Sequence, residues 1–226
     1  VVGTKLGDSP TSEVVLITAH IDDMPAGANA PGADDNASGS VAVMAAAELF
    51  ARYSFARTVR FVLFTGEEQG LLGSQRYAER AAAAGDRIAG VINLDMISWN
   101  SGSKIIDIHT RSSGHPSYAA DLQIYSVITN VLSAYGLSTN IIPYLRADGV
   151  SYSDHYSFWN QGFPAILGIE DDTDFNTNYH TINDQLAYFN MDYFTAFTKV
   201  GVGALAHLAL IKDVAPMDSV EICNAD

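Results

Sequence analysis

Seven side chains able to bind a cation or move a proton stand at a restricted set of positions: His20 and Asp22, Asp35, the pair Glu67 and Glu68, Asp95, and His180. Imidazole nitrogen and carboxylate oxygen are donors that suit Zn²⁺, which in catalytic sites keeps one position open to water. Two dications need more donors than one local cluster supplies, so a shared carboxylate would be economical. Three carboxylates and a hydroxide would then balance their charge. Without cations, several carboxylates meeting at one place would repel and hold protons to unusually high pH. Other zinc and nucleophile plans are missing. There is no His-Glu-x-x-His helix and no Gly-x-Ser-x-Gly elbow. Cys223 is the single cysteine, which excludes a thiolate zinc site and an internal disulfide. Taken one at a time, these residues have plainer readings: a His-x-Asp as a surface or capping pair, Glu-Glu as a solvated loop, an Asp after a strand as a helix N-cap, Asp34-Asp35-Asn36 as a turn.

What sets them apart is their position relative to the elements the sequence implies. Continuous apolar runs at 14–19, 61–64, 91–94, 105–108 and 165–167 read as strands buried on both faces, the pattern of a central parallel sheet. Helical spacing, with Ser or Asn near several starts, marks 40–53, 74–84, 117–134 and 191–212. Strands alternating with helices predict an α/β three-layer sandwich, a mainly parallel sheet with helices on both faces. Segments 22–39, 98–103, 146–154 and 170–178 read as loops. His20 and Asp22 follow the first run, Glu67 and Glu68 follow the second after Thr65-Gly66, and Asp95 closes the third. In a parallel sheet those strand ends share one edge, where ligands bind. Asp35 lies in the loop after the first strand, and His180 ends a loop after the last.

The 226 residues suit a single domain, 1–226, and the pattern begins almost directly with a strand, so N-terminal elements are expected to be missing. A hydrophobic share of 48% and a charged share of 17% are ordinary for a globular chain. The formal net charge of −14 argues against nucleic acid and anionic membranes as partners, because both attract basic faces. No apolar stretch approaches a membrane span, and no signal peptide is visible at Val1.

Ala19-His20-Ile21-Asp22, the run from Pro31 to Gly39, Gly66-Glu67-Glu68-Gln69-Gly70, Asn93-Leu94-Asp95-Met96 and Tyr179-His180-Thr181 resemble, in order and spacing, the M28 family of zinc peptidases, and within it the secreted bacterial leucyl aminopeptidases. Ser153-Asp154-His155 and the segment from Asn160 to Pro164 also match. The resemblance covers about residues 14–210. It implies a zinc exopeptidase-like fold and two Zn²⁺ ions, one held by His20 and Asp95, the other by Glu68 and His180, with Asp35 bridging. It further implies Glu67 as general base, Asp22 hydrogen-bonded to the far nitrogen of His20, and a cis peptide at Asp35–Asn36. The expected activity is hydrolysis of the N-terminal peptide bond of peptides with a free N-terminus, by a secreted or periplasmic monomer. Met96, Phe163, Ile169 and Tyr179 flank the ligands and are expected to line an apolar pocket for a side chain such as Leu or Phe.

Members of this type usually carry further N-terminal residues, which this sequence is expected to lack, so the first sheet edge is unassigned; some relatives also have a disulfide near the site, which a single cysteine excludes here. The groups that polarise the substrate carbonyl are unassigned. A carboxypeptidase would need a cation for the substrate's terminal carboxylate, for which Arg111 and Arg146 are the candidates. A glutaminyl cyclase would keep one zinc, and an inactive binding domain would have lost ligands or the base. His109, His115 and His207 fit no ligand pattern. Asp154 and His155 are expected to support a loop. Asn36-Ala37-Ser38 matches a glycan acceptor but adjoins a proposed ligand, where a glycan would block the cleft.

Overall fold

The computed structural model describes residues 1–9, 13–24 and 29–214. In chain order its strands are β1 (Val2–Lys5), β2 (Glu13–His20), β3 (Tyr53–Phe55), β4 (Thr58–Phe64), β5 (Arg87–Leu94), β6 (Ile105–His109), β7 (Ile142–Arg146), β8 (Ala165–Glu170) and β9 (Ile211–Val214). The helices are α1 (Gly39–Phe50), α2 (Leu72–Ala83), α3 (Tyr118–Ala134), α4 (His155–Asn160) and α5 (Met191–Leu208). Seven strands form one mixed sheet in the order β1-β4-β2-β5-β8-β6-β7, and β3 pairs with β9 separately. The central four, β4-β2-β5-β8, are mutually parallel. β6 and β7 run parallel to each other but antiparallel to β8, and β1 closes the opposite edge antiparallel to β4.

The continuous hydrophobicity of the central strands follows from burial on both faces. In β2, Val15, Ile17 and Ala19 enter the larger core with residues of α1, α3 and α5. Val14 and Leu16 enter the opposite core with Ala78 and Ala81 of α2 and Phe158 and Trp159 of α4. Helices therefore cover both faces, α1, α3 and α5 on one and α2 and α4 on the other. Among the described residues no helix is long and apolar enough to cross a membrane.

The elements outside the sequence expectation are short or lie at edges. β1 is four residues long and largely exposed, so it carries no apolar run. β7 contains Pro143, which an edge strand tolerates because an N–H facing away from the sheet is not needed there. The helix expected over 191–212 ends at Leu208. Leu210 turns to a φ of 56° and the chain continues as β9 against β3. Within the 22–39 loop the segment Ala33–Ser38 leads into α1 through a kink, with Asp35 and Asn36 outside helical φ/ψ.

Candidate metal centre

The chain passes from β2 to β4 on one side of it, then returns to β5 on the other, which opens a crevice at the carboxyl ends of these strands. His20 is the last residue of β2, Glu67 and Glu68 follow β4, and Asp95 follows β5. Neighbouring strands thus deliver these side chains side by side. Gly66, with a φ of 75°, makes the turn after β4 in a conformation other residues rarely adopt. Asp35 arrives on the turn before α1, and the Asp35–Asn36 peptide is cis. The Asp184 carboxylate accepts the backbone N–H groups of Asp34 at 2.9 Å and Asp35 at 3.0 Å. Asp184 follows His180 by four residues, so one loop both supplies that imidazole and fastens the Asp35 turn.

The donors converge. His20 Nε2 lies 3.1 Å from Asp95 Oδ1 and 3.2 Å from Asp35 Oδ1. The other Asp35 oxygen is 3.0 Å from His180 Nε2, which is also 3.1 Å from Glu68 Oε2. One carboxylate therefore sits between two imidazoles, each with a further carboxylate of its own. His20 Nδ1 lies 3.0 Å from the Asp22 carbonyl oxygen, which can only accept, so Nδ1 carries the hydrogen. In the neutral ring Nε2 then presents a lone pair to the lone pairs of Asp35 and Asp95, an arrangement that needs a proton or a metal cation between them. The residues fit a pair of zinc ions on this ground.

The electrostatics agree. Burial opposes protonation of His20, yet Asp95 and Asp35 override it and hold the ring well above the usual histidine range. His180 is raised, chiefly by its hydrogen bond to Asp35. Burial, reinforced by Asp95, pushes Glu67 up to about 9; burial and Asp35 push Glu68 up to about 7. The site is short of positive charge, and bound dications would reverse these shifts.

Glu67, 9% exposed, lies with His20 and Glu68 in a group whose donor atoms are all within 4.8 Å of one another. The part expected of Asp22 is divided. Its carbonyl takes the His20 hydrogen, whereas its carboxylate stands 3.8 Å from that ring and accepts the backbone N–H groups of Glu67 at 3.3 Å and Glu68 at 3.2 Å. Ser153 donates to Asp95 Oδ2 at 2.6 Å.

A cleft of about 540 Å³ opens over these groups. Met96, Ile169 and Tyr179 line it as expected from the sequence, joined by Leu71, Tyr152, Asp172 and Phe175. Tyr179 stacks on the His180 ring at 3.6 Å between centroids. Phe163 is a correction. It precedes β8 and so stands at the amino end of that strand, the edge opposite the cleft, where it packs with Phe158 and Trp159. Arg111, 3% exposed, is committed to Asp121 at 2.8 Å and to the Phe163 carbonyl at 2.6 Å. Arg146 is held by Asp107 at 2.9 Å. Neither lines the cleft.

His155 is fully buried. It donates Nε2–H to the Val150 carbonyl at 3.0 Å and meets Trp159 edge-on. Asp154 beside it is buried, and that burial pushes its carboxyl up to about 7. Asn36 is 2% exposed, donates to the Leu94 carbonyl and accepts from Gly39 N–H, which is no position for a glycan.

A family model described as peptidase family M28 matches residues 1–204. Leucine aminopeptidase 1 of Trichophyton rubrum is 30% identical over 221 residues, which are 92% of this chain and 57% of that protein. The aminopeptidase from Aneurinibacillus sp. strain AM-1 is similar in structure, with a TM-score of 0.74 at 25% identity, over 95% of this chain and 48% of that one. LapB from Legionella pneumophila has the same fold, with a TM-score of 0.76 at 24% identity, over 92% of this chain and 60% of that one. The chain spans little more than half the length of the curated relatives it matches. The chain belongs to peptidase family M28.

Proposed function

We propose that this chain carries a zinc aminopeptidase site that hydrolyses the first peptide bond of peptides with a free N-terminus. The observation that supports it most is the Asp35 carboxylate between His20 Nε2 at 3.2 Å and His180 Nε2 at 3.0 Å, with Glu67 grouped with His20 and Glu68. In this reading His20 and Asp95 hold one ion, Glu68 and His180 the other, and Asp35 both. Two zinc ions bound there supply Lewis acidity toward a peptide carbonyl and lower the pKa of water from about 15.7 toward ~7.

The chain's own groups do the rest. Glu67 takes the proton of the attacking water and returns it to the departing amine. Asp22 fixes the backbone of Glu67 and Glu68, Ser153 orients Asp95, and Asp184 holds the Asp35 turn. Tyr179 and the apolar wall of Met96, Ile169 and Phe175 receive the first side chain and keep water from it. Membership of the family and the names of the relatives agree with this reading.

A carboxypeptidase would need a cation for the substrate's terminal carboxylate. Among the described residues the cleft lining contains neither Arg nor Lys, and both arginine candidates are committed elsewhere. The test is a set of matched peptides that are free, N-acetylated or C-amidated. Cleavage of the free and amidated forms with loss of activity on the acetylated form is expected. Cleavage that survives acetylation and stops on amidation would overturn the proposal.

A further inference from the structure

The metal centre and base leave one charged side chain of the cleft without a task. Asp172 lines the cleft with Met96, Ile169, Phe175 and Tyr152, outside the donor groups around His20 and His180. Its side chain is 42% exposed, and among the described residues no group donates a hydrogen bond to its carboxylate.

The neighbours explain why it has no donor. His109 is fully buried and lies 3.0 Å from the Asp148 carboxylate through Nδ1. A carboxylate only accepts, so Nδ1 carries a hydrogen. Nε2 lies 3.2 Å from the Tyr152 hydroxyl oxygen and 3.9 Å from Asp172 Oδ2, too far to hydrogen-bond that carboxylate. Arg146, the nearby cation, is held by Asp107, and the Asp172 backbone N–H is spent on the other Asp107 oxygen at 2.9 Å. Asp107, Asp148 and Asp172 thus have at most two basic groups among them, Arg146 and His109, which leaves this end of the cleft with an excess of negative charge. The Tyr152 hydroxyl oxygen, an acceptor in any arrangement of that hydrogen bond, lines the cleft with Asp172.

The Tyr152 oxygen and an unbalanced carboxylate at the end of an apolar wall match a long side chain with an apolar stem and a cationic head. We propose that Asp172, assisted by the Tyr152 oxygen, receives the ammonium or guanidinium of an N-terminal lysine or arginine, with the aliphatic stem along Met96, Ile169 and Phe175. The cleft then takes basic as well as apolar N-terminal residues. A leucine leaves Asp172 in water and costs little, so the two preferences coexist. This inference rests on the aminopeptidase reading and names its substrate class.

The test compares kcat/KM on lysyl, Nε-acetyl-lysyl and norleucyl p-nitroanilides for the zinc-loaded wild type and Asp172→Asn. The wild type should prefer lysyl over Nε-acetyl-lysyl by about ten-fold, the scale of a hydrogen bond to a charged group. In Asp172→Asn the ratio of lysyl to norleucyl activity should fall by a similar factor. A wild type that does not distinguish lysyl from its acetylated form overturns the proposal without reference to any variant. An unchanged ratio in Asp172→Asn, including a uniform fall on all substrates, overturns it too. A wild type that cleaves none of them overturns the aminopeptidase reading itself, and this inference with it.

Discussion

At the scale of single residues, the proposed function separates groups that would hold cations from one that would move a proton. Glu67 belongs to the second kind, so Glu67→Ala should keep two zinc ions per chain by elemental analysis and lose turnover by about 10²–10⁴-fold. A well-folded variant with full activity would contradict its role. Glu68, raised to about 7, must release a proton when it binds a cation, so zinc affinity should weaken as pH falls below about 7. Calorimetry in buffers of different ionisation enthalpy should register that proton. His155 makes the opposite kind of prediction, about stability. Burial drops its imidazole from the ordinary 6.5 to about 3. The unfolded chain therefore binds a proton in that window and the folded chain does not, so stability is lost as pH falls from about 6.5 toward 3. His155→Gln should be less stable than the wild type near neutrality, and thermal melts should show the gap narrowing in acid. The donors were legible because His and carboxylates directly after apolar runs are conspicuous. The roles of Asp184, Ser153 and Tyr152 were not, since each acts on a partner far along the chain; Asp184 holds a turn 149 residues away. Phe163 misled because closeness in sequence to a strand says nothing of which end of it faces the cleft.

At the scale of elements, the site depends on how tightly α1 seats against the ends of β2 and β5. A Cβ on Gly39 would stand 2.5 Å from both the Leu94 carbonyl oxygen and Asn36 Oδ1. Backbone cannot yield there, so Gly39→Ala should push the Asp35 turn outward. The expected result is a loss of about 1–3 kcal/mol in denaturant unfolding and zinc binding weaker by about ten-fold or more. Wild-type stability and affinity in this variant would mean that the turn is not set by this packing. The central strands and most of the helices could be read from hydrophobic pattern because both faces of the sheet are covered. β1, β3, β7, α4 and β9 could not, because three to six residues at an edge, or a single aromatic turn, carry too few periods. The antiparallel placing of β6 against β8 left no trace either, since a buried strand looks alike in both directions.

At the scale of the whole molecule, the proposed metal centre would tie together β2, β4, β5, the turn before α1 and the His180 loop. It also concentrates acidic groups in a chain of net charge −14. Chelation should therefore lower the melting temperature. At free zinc about a thousand-fold above its dissociation constant, the ions contribute about 4 kcal/mol per site, or a shift of about 10 °C for a chain of this size. Asp35→Asn, with its shared ligand weakened, should respond much less to the same chelator in scanning calorimetry. The claim on which all of this rests is that Asp35 joins two cations. Anomalous X-ray scattering from zinc-loaded crystals, recorded across the zinc absorption edge, tests it most directly. Two peaks are predicted, one against His20 and Asp95 and one against Glu68 and His180, with the Asp35 carboxylate between them. A single peak, or peaks away from Asp35, would contradict the account.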